Sequence, residues 1–113
     1  MTDTLVINKA EGAWVVRAGG AVIAESRNAL ELSERGGSPV VYFPREDVGM
    51  AFLDPSDSRT TCPLKGEAHY FTLHTKSGEI PDAAWSYEQP LPGVERIAGH
   101  VAFHGDKVTV ELL

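Results

Sequence analysis

The sequence predicts a mainly β, single-domain protein with one or two short helical turns. Three observations carry that expectation. Apolar residues recur in short segments with a period of two, the spacing of a half-buried strand. Gly, Pro, Asn and Asp cut these segments about every eight to twelve residues, as turns do in β domains. No window keeps the 3.6-residue apolar period for more than about two turns, which sets a helical bundle aside.

Trp14–Ala18 and Ala21–Glu25 read as strands separated by Gly19-Gly20, two glycines that accept the positive φ angles of a two-residue hairpin turn. Ala29–Ser33 and Val40–Phe43 flank Arg35-Gly36-Gly37-Ser38-Pro39, a longer hairpin or loop. Pro44-Arg45-Glu46-Asp47-Val48 opens as a short helical turn, because proline suits the first helical position and acids there complement the helix dipole. Asp54-Pro55-Ser56-Asp57-Ser58 reads as a surface turn by composition.

Glu67–Thr75 is the longest strand candidate, with Ala68, Tyr70 and Thr72 facing one way and His69, Phe71 and Leu73 the other. Both faces carry apolar bulk, so a central, two-sided position is expected. Ser77-Gly78 turns the chain back into Ala83–Tyr87. Val94–Ala98 suits one or two helical turns capped by Gly99. Val101–Phe103 and Val108–Leu112 read as a last hairpin around Gly105-Asp106.

At 113 residues the chain has the size of one domain able to bury a single core. An apolar fraction of 42% with 23% charged residues is that of a folded globular protein, not of a disordered one. A net charge of -6, with the basic residues dispersed, argues against a general nucleic-acid binder, whose affinity rests on clustered Lys and Arg. The single cysteine forms no internal disulfide and no cysteine-rich zinc site, which fits a reducing cytoplasm. Met1-Thr2-Asp3-Thr4 carries no basic region leading into an apolar stretch, and no run approaches the ~20 apolar residues of a spanning helix. A cytoplasmic protein without membrane or nucleic-acid partners is the expectation.

The chemistry concentrates in Thr61-Cys62-Pro63-Leu64-Lys65-Gly66, where a thiol and an amine share a Pro/Gly bend between two strands. Cys62 has two readings: a nucleophile or redox thiol activated by the Lys65 cation, or a small buried hydrophobe. Lys65-Gly66 invites an anion, although the order of residues is not that of a phosphate-binding loop. Arg45 and Asp47 emerge directly from an apolar strand. Asp47 reads either as a base or orienting carboxylate at a pocket rim or as part of a surface ion pair. Tyr42, Tyr70, Trp85 and Tyr87 are suited to wall an apolar pocket with a wet mouth, or simply to pack the core. His100 and His104 are four apart in a strand-like segment, hence ~13 Å apart, and are not expected to share a metal. No cofactor or metal is expected.

From Val41 to Leu112 the chain closely resembles a bacterial domain-of-unknown-function family of small β-rich proteins, also filed under a nucleotidyltransferase-like label. The resemblance rests on Tyr42-Phe43-Pro44-Arg45-Glu46-Asp47-Val48, Thr61-Cys62-Pro63 with Lys65-Gly66, Tyr70, Ala84-Trp85-Ser86-Tyr87 and Ile97-Ala98-Gly99-His100-Val101-Ala102-Phe103. Leu64 stands where the motif carries an aromatic residue. The resemblance implies a β-tent, two antiparallel sheets meeting at an angle, similar to the thalidomide-binding domain of cereblon and to the B-type methionine sulfoxide reductases. Those relatives hold zinc through paired CxxC motifs, which this chain lacks. The paired carboxylates that nucleotidyl transfer needs for its metals are not found either. Together, residues and resemblance lead to one expectation: a small polar or anionic molecule bound in a pocket lined by Tyr42, Arg45, Tyr70, Trp85 and Tyr87, with Cys62, Lys65 and Asp47 at its polar end. A Cys62-dependent enzyme and a protein-interaction module are the alternatives.

Overall fold

The computed structural model describes residues 5–34 and 37–113. Met1–Thr4, and Arg35 and Gly36 of the predicted loop, lie outside the described residues. The chain is mainly β. Its strands are β1 (Leu5–Lys9), β2 (Trp14–Ala18), β3 (Ala21–Ser26), β4 (Leu30–Glu34), β5 (Val40–Tyr42), β6 (Leu53–Cys62), β7 (Gly66–Thr75), β8 (Gly78–Ser86), β9 (Val101–Phe103) and β10 (Thr109–Leu112). Single 3-10 turns occupy Arg45–Asp47, Met50–Phe52 and Glu95–Ile97. The first and last of these fall where helical turns are predicted.

The strands form three antiparallel sheets, ordered β1-β4-β5, β10-β2-β3 and β6-β7-β8-β9. Two sheets are implied by the resemblance, and the seam between two of the three explains the difference. Phe43 and Val101 exchange both backbone hydrogen bonds, at 2.8 and 2.9 Å, so β5 meets β9 across a single bridge. The β1-β4-β5 and β6-β7-β8-β9 sheets thereby become one long surface, and β10-β2-β3 is the second layer.

Period-two alternation decides which core each residue joins. Phe43, Val101 and Phe103 pack with Val16, Ile23 and Leu73 in one buried cluster. Their neighbours Tyr42 and Ala102 pack in a second cluster with Leu32, Tyr87 and Ile97. The predicted two-sidedness of Glu67–Thr75 holds, since Ala68 enters the second cluster while Phe71 and Leu73 enter the first.

Two expectations are corrected, and one strand is added. Asp54–Ser58 is not a turn but part of β6, whose pairing with β7 skips from Pro55 to Arg59 in a bulge. Ser56 and Ser58 in that bulge both donate to Asp82, at 2.6 Å each, so their polarity serves a contact to the next strand but one. The predicted last hairpin does not form either. β9 pairs with β8 and β10 with β2, so the Gly105 turn carries the chain from one layer to the other. Finally β1 has no counterpart in the sequence reading; it pairs with β4 and leaves Val6 exposed.

Candidate functional site

The Cys62–Lys65 bend is a tight turn between the longest hairpin's strands. Cys62 faces Gly66 as the last pair of the β6–β7 ladder, and the Lys65 amide donates to the Cys62 carbonyl at 3.3 Å. Gly66 sits at φ 111°, a conformation open to glycine, and the Leu91 amide fixes the neighbouring Lys65 carbonyl at 3.0 Å. The turn therefore holds the lysine side chain over the second cluster instead of releasing it to solvent. Only 12% of that side chain is exposed.

The Lys65 ammonium donates to Glu34 at 3.1 Å and lies beside the Cys62 sulfur. Burial works against its charge, but Glu34 and Cys62 more than offset that, and the Lys65 pKa stands above the ordinary lysine value. Cys62 itself is half-buried and packs against the second cluster. Its thiol is thus neither sealed in the core nor part of the cleft wall.

Lys65 lines a cleft of about 450 Å3 with Leu32, Glu34, Ser38, Val40 and Tyr42 from the β4–β5 hairpin and with Tyr70, Trp85, Tyr87 and His104 from beyond it. Its volume falls within the range of small-molecule sites, about 300–1,000 Å3. Trp85 is the central wall. Its Nε1 donates to the Tyr42 hydroxyl at 3.3 Å, and the two rings meet edge to face with centroids 6.4 Å apart. The His104 ring lies 4.5 Å from the indole and stacks on Tyr70 at 6.3 Å, nearly parallel. Thr60 holds the Tyr70 hydroxyl at 2.9 Å.

Burial sets the protonation of this wall. It pushes the phenols of Tyr42 and Tyr87 up, so both stay neutral hydrogen-bonding groups. It pushes the His104 imidazole down, helped by the Lys107 cation, so the neutral ring is favoured. Among the described residues, the Lys65 cation and the Glu34 carboxylate give the cleft a polar end, and the neutral aromatic rings give it an apolar one.

Of the sequence-derived residues, the structure brings Tyr42, Lys65, Tyr70, Trp85 and Tyr87 into one cleft with Cys62 behind Lys65. Arg45 and Asp47 lie outside it. The Arg45 guanidinium donates to the Gly99 carbonyl at 2.9 Å and to the buried Ser86 hydroxyl at 3.2 Å, pairs with Glu88, and lies over the Phe71 ring. It staples the segments around β8 to the Pro44 turn. Asp47 accepts from Ser26 at 2.6 Å, and Ser26 in turn accepts the Asn28 amide at 2.9 Å, a closed network that ties β3 to the same turn. Both motif charges are therefore committed to the fold.

His104, which β9 separates from His100, stands in the cleft wall, a place the sequence does not announce. The only local hint is the apolar Phe103 beside it, at a strand end. Leu32, Glu34, Ser38 and Val40 arrive through the β4–β5 hairpin, whose docking is non-local and leaves no local mark. Among the described residues no group of three His, Cys, Asp or Glu side chains is placed to hold a metal ion, and no helix is long and apolar enough to cross a membrane.

A comparison with curated proteins returns no match. The family described as Domain of unknown function (DUF427) matches residues 6–113, almost the whole chain, and the chain belongs to that family.

Proposed function

We propose that the protein binds a small polar or anionic molecule in the Trp85 cleft, with a flat or apolar part against Trp85, Tyr70 and His104 and a hydrogen-bond-accepting group at Lys65. The observation that carries this reading is the largely buried Lys65 side chain, whose ammonium stands at one end of an aromatic wall. An ammonium has three hydrogens, and Glu34 takes one of them. Glu34 is itself half-exposed, at 49%, and can yield to a ligand's oxygen without leaving a buried charge unpaired. The unpaired cysteine supports a reducing, cytoplasmic setting.

The test is a thermal-shift screen of small carboxylates, phosphates and heteroaromatic acids against the wild type, Lys65→Ala and Trp85→Ala. A ligand at 100 times its Kd stabilises its folded partner by about 2.7 kcal/mol, so a true ligand raises the wild-type Tm and fails to raise that of either variant. If no compound stabilises the wild type more than both variants, the reading is wrong.

A thiol-dependent reaction is the second reading, favoured by the Lys65 ammonium beside the Cys62 sulfur. It requires iodoacetamide to alkylate Cys62 in the folded wild type faster than in Lys65→Ala. Equal rates in the two proteins remove it.

A further inference from the structure

The pairing of β5 with β9 stops at Phe43 and Val101. Two residues further along each strand, Val41 and Phe103 would be the next hydrogen-bonded pair, yet they line a second cleft of about 370 Å3 instead. That cleft lies between the layers. Trp14 of β2 and Val110 of β10 form one side, and Val41 of β5 and Phe103 of β9 form the other. Trp14, Val41 and Val110 are only partly covered by the core they pack against. Among the described residues, Glu31 is the one carboxylate in this lining.

Val40, Trp85 and His104 line both clefts. The two clefts therefore adjoin at the end of the seam, with these three side chains as their common wall. Alternation along β5 sends side chains to both sides, because Val40 and Tyr42 belong to the second cluster while Val41 and Phe43 belong to the first. The two compartments also differ in chemistry: Lys65, Glu34 and Ser38 stand in the first, and mainly aliphatic and aromatic groups in the second.

We propose that the ligand is elongated and amphipathic, with a polar head at Lys65 and an unbranched apolar arm that passes Trp85 and His104 into the inter-layer cleft. This rests on the reading of the first cleft as a binding site. Burial of each methylene in the second cleft removes apolar surface from water, which predicts an affinity gain of roughly three- to fourfold per carbon until the cleft is full. The indole of Trp85, held by Tyr42, forms the shoulder over which the arm bends.

The experiment uses straight-chain carboxylates from butyrate to decanoate, below their micelle concentrations, titrated into the full chain by heteronuclear NMR. Affinity should climb with chain length in the wild type. In Val110→Glu, which puts a charge into the second cleft from the partly exposed face of β10, decanoate should fall to the affinity of butyrate while butyrate is unchanged. Nuclear Overhauser contacts from the decanoate terminal methyl to Trp14 and Val110 in the wild type give the same answer without any variant. Affinity independent of chain length, with binding still abolished by Lys65→Ala, overturns the arm and keeps the polar site. A length-dependent gain untouched by Val110→Glu, with no contact to Trp14, also overturns it. Butyrate binding that ignores Lys65→Ala overturns the first-cleft reading itself.

Discussion

Trp85 gives its indole hydrogen to the buried hydroxyl of Tyr42, 3.3 Å away, which commits the one polar atom of the ring to a partner inside the protein. Tyr42→Phe removes that acceptor and one buried hydroxyl. A net loss of about 1 kcal/mol is expected, the worth of a typical intramolecular hydrogen bond. In a chain of this size it lowers the Tm by roughly 4 °C. Calorimetry measures the loss, and a red-shifted Trp emission should report the freed indole edge.

Alkaline pH should unfold the protein through the cleft. Lys65, Tyr42 and Tyr87 all hold their protons more tightly in the fold than the ordinary values of 10.5 and 10.0. A raised folded pKa contributes stability that is complete below the unfolded value and disappears as pH rises toward the folded one. Urea midpoints should be steady up to about pH 10 and then fall. In Tyr42→Phe and Tyr87→Phe the decline should be shallower than in the wild type.

His104 has the opposite sign. Its folded pKa lies below the ordinary 6.5, because burial disfavours the imidazolium and Lys107 repels it. The unfolded chain takes up the proton first as pH falls. This contribution to stability is complete above 6.5 and is lost through the folded value. His104→Gln should flatten the stability profile below about pH 6.5, measured by denaturant titration.

Gly19 and Gly20 form the β2–β3 turn, both with positive φ, but only Gly19 is packed. A Cβ at Gly19 would stand 2.3 Å from the Thr75 hydroxyl oxygen, whereas one at Gly20 meets nothing within 4 Å. Gly20→Ala should cost about 1–2 kcal/mol for the left-handed backbone alone. Gly19→Ala should cost distinctly more, because Thr75 must also move. Thermal melts of the two variants decide the order.

Asp82 takes two serine hydroxyls while sitting at φ 51°. Those bonds, with Ser56 first, hold its carboxyl below the ordinary 3.8. Asn tolerates the same backbone, so Asp82→Asn isolates the charge. It should cost about 1 kcal/mol at pH 7. The difference should vanish as pH drops below the folded value, because a depressed pKa stabilises only above it.

Local signals carried much of this architecture. Trp14–Ala18 is a strand over the predicted residues, the Gly-Gly turn follows it, and Glu67–Thr75 differs from β7 by one residue. The side-chain pattern of β7 also announced its two-sided burial. Partner choice was not legible, because Val101–Phe103 and Thr109–Leu112 alternate equally well whether they pair with each other or with β8 and β2. The same limit applied to the site. Tyr42, Lys65, Tyr70, Trp85 and Tyr87 stood out as residue types, while Glu34 and Val40 reach the cleft only through the docking of a hairpin. Arg45 and Asp47 looked chemical because they are charged beside an apolar strand; Ser86, Gly99 and Ser26 show that the fold itself consumes those charges.

The one-bridge seam at Phe43 and Val101 makes two amide protons into reporters. If the sheet flexes about that line, the Phe43 and Val101 amides should exchange with deuterium sooner than the β6–β7 hairpin does. Binding of the proposed apolar arm beside that bridge should slow both together, which makes this pair of amides a gauge of occupancy.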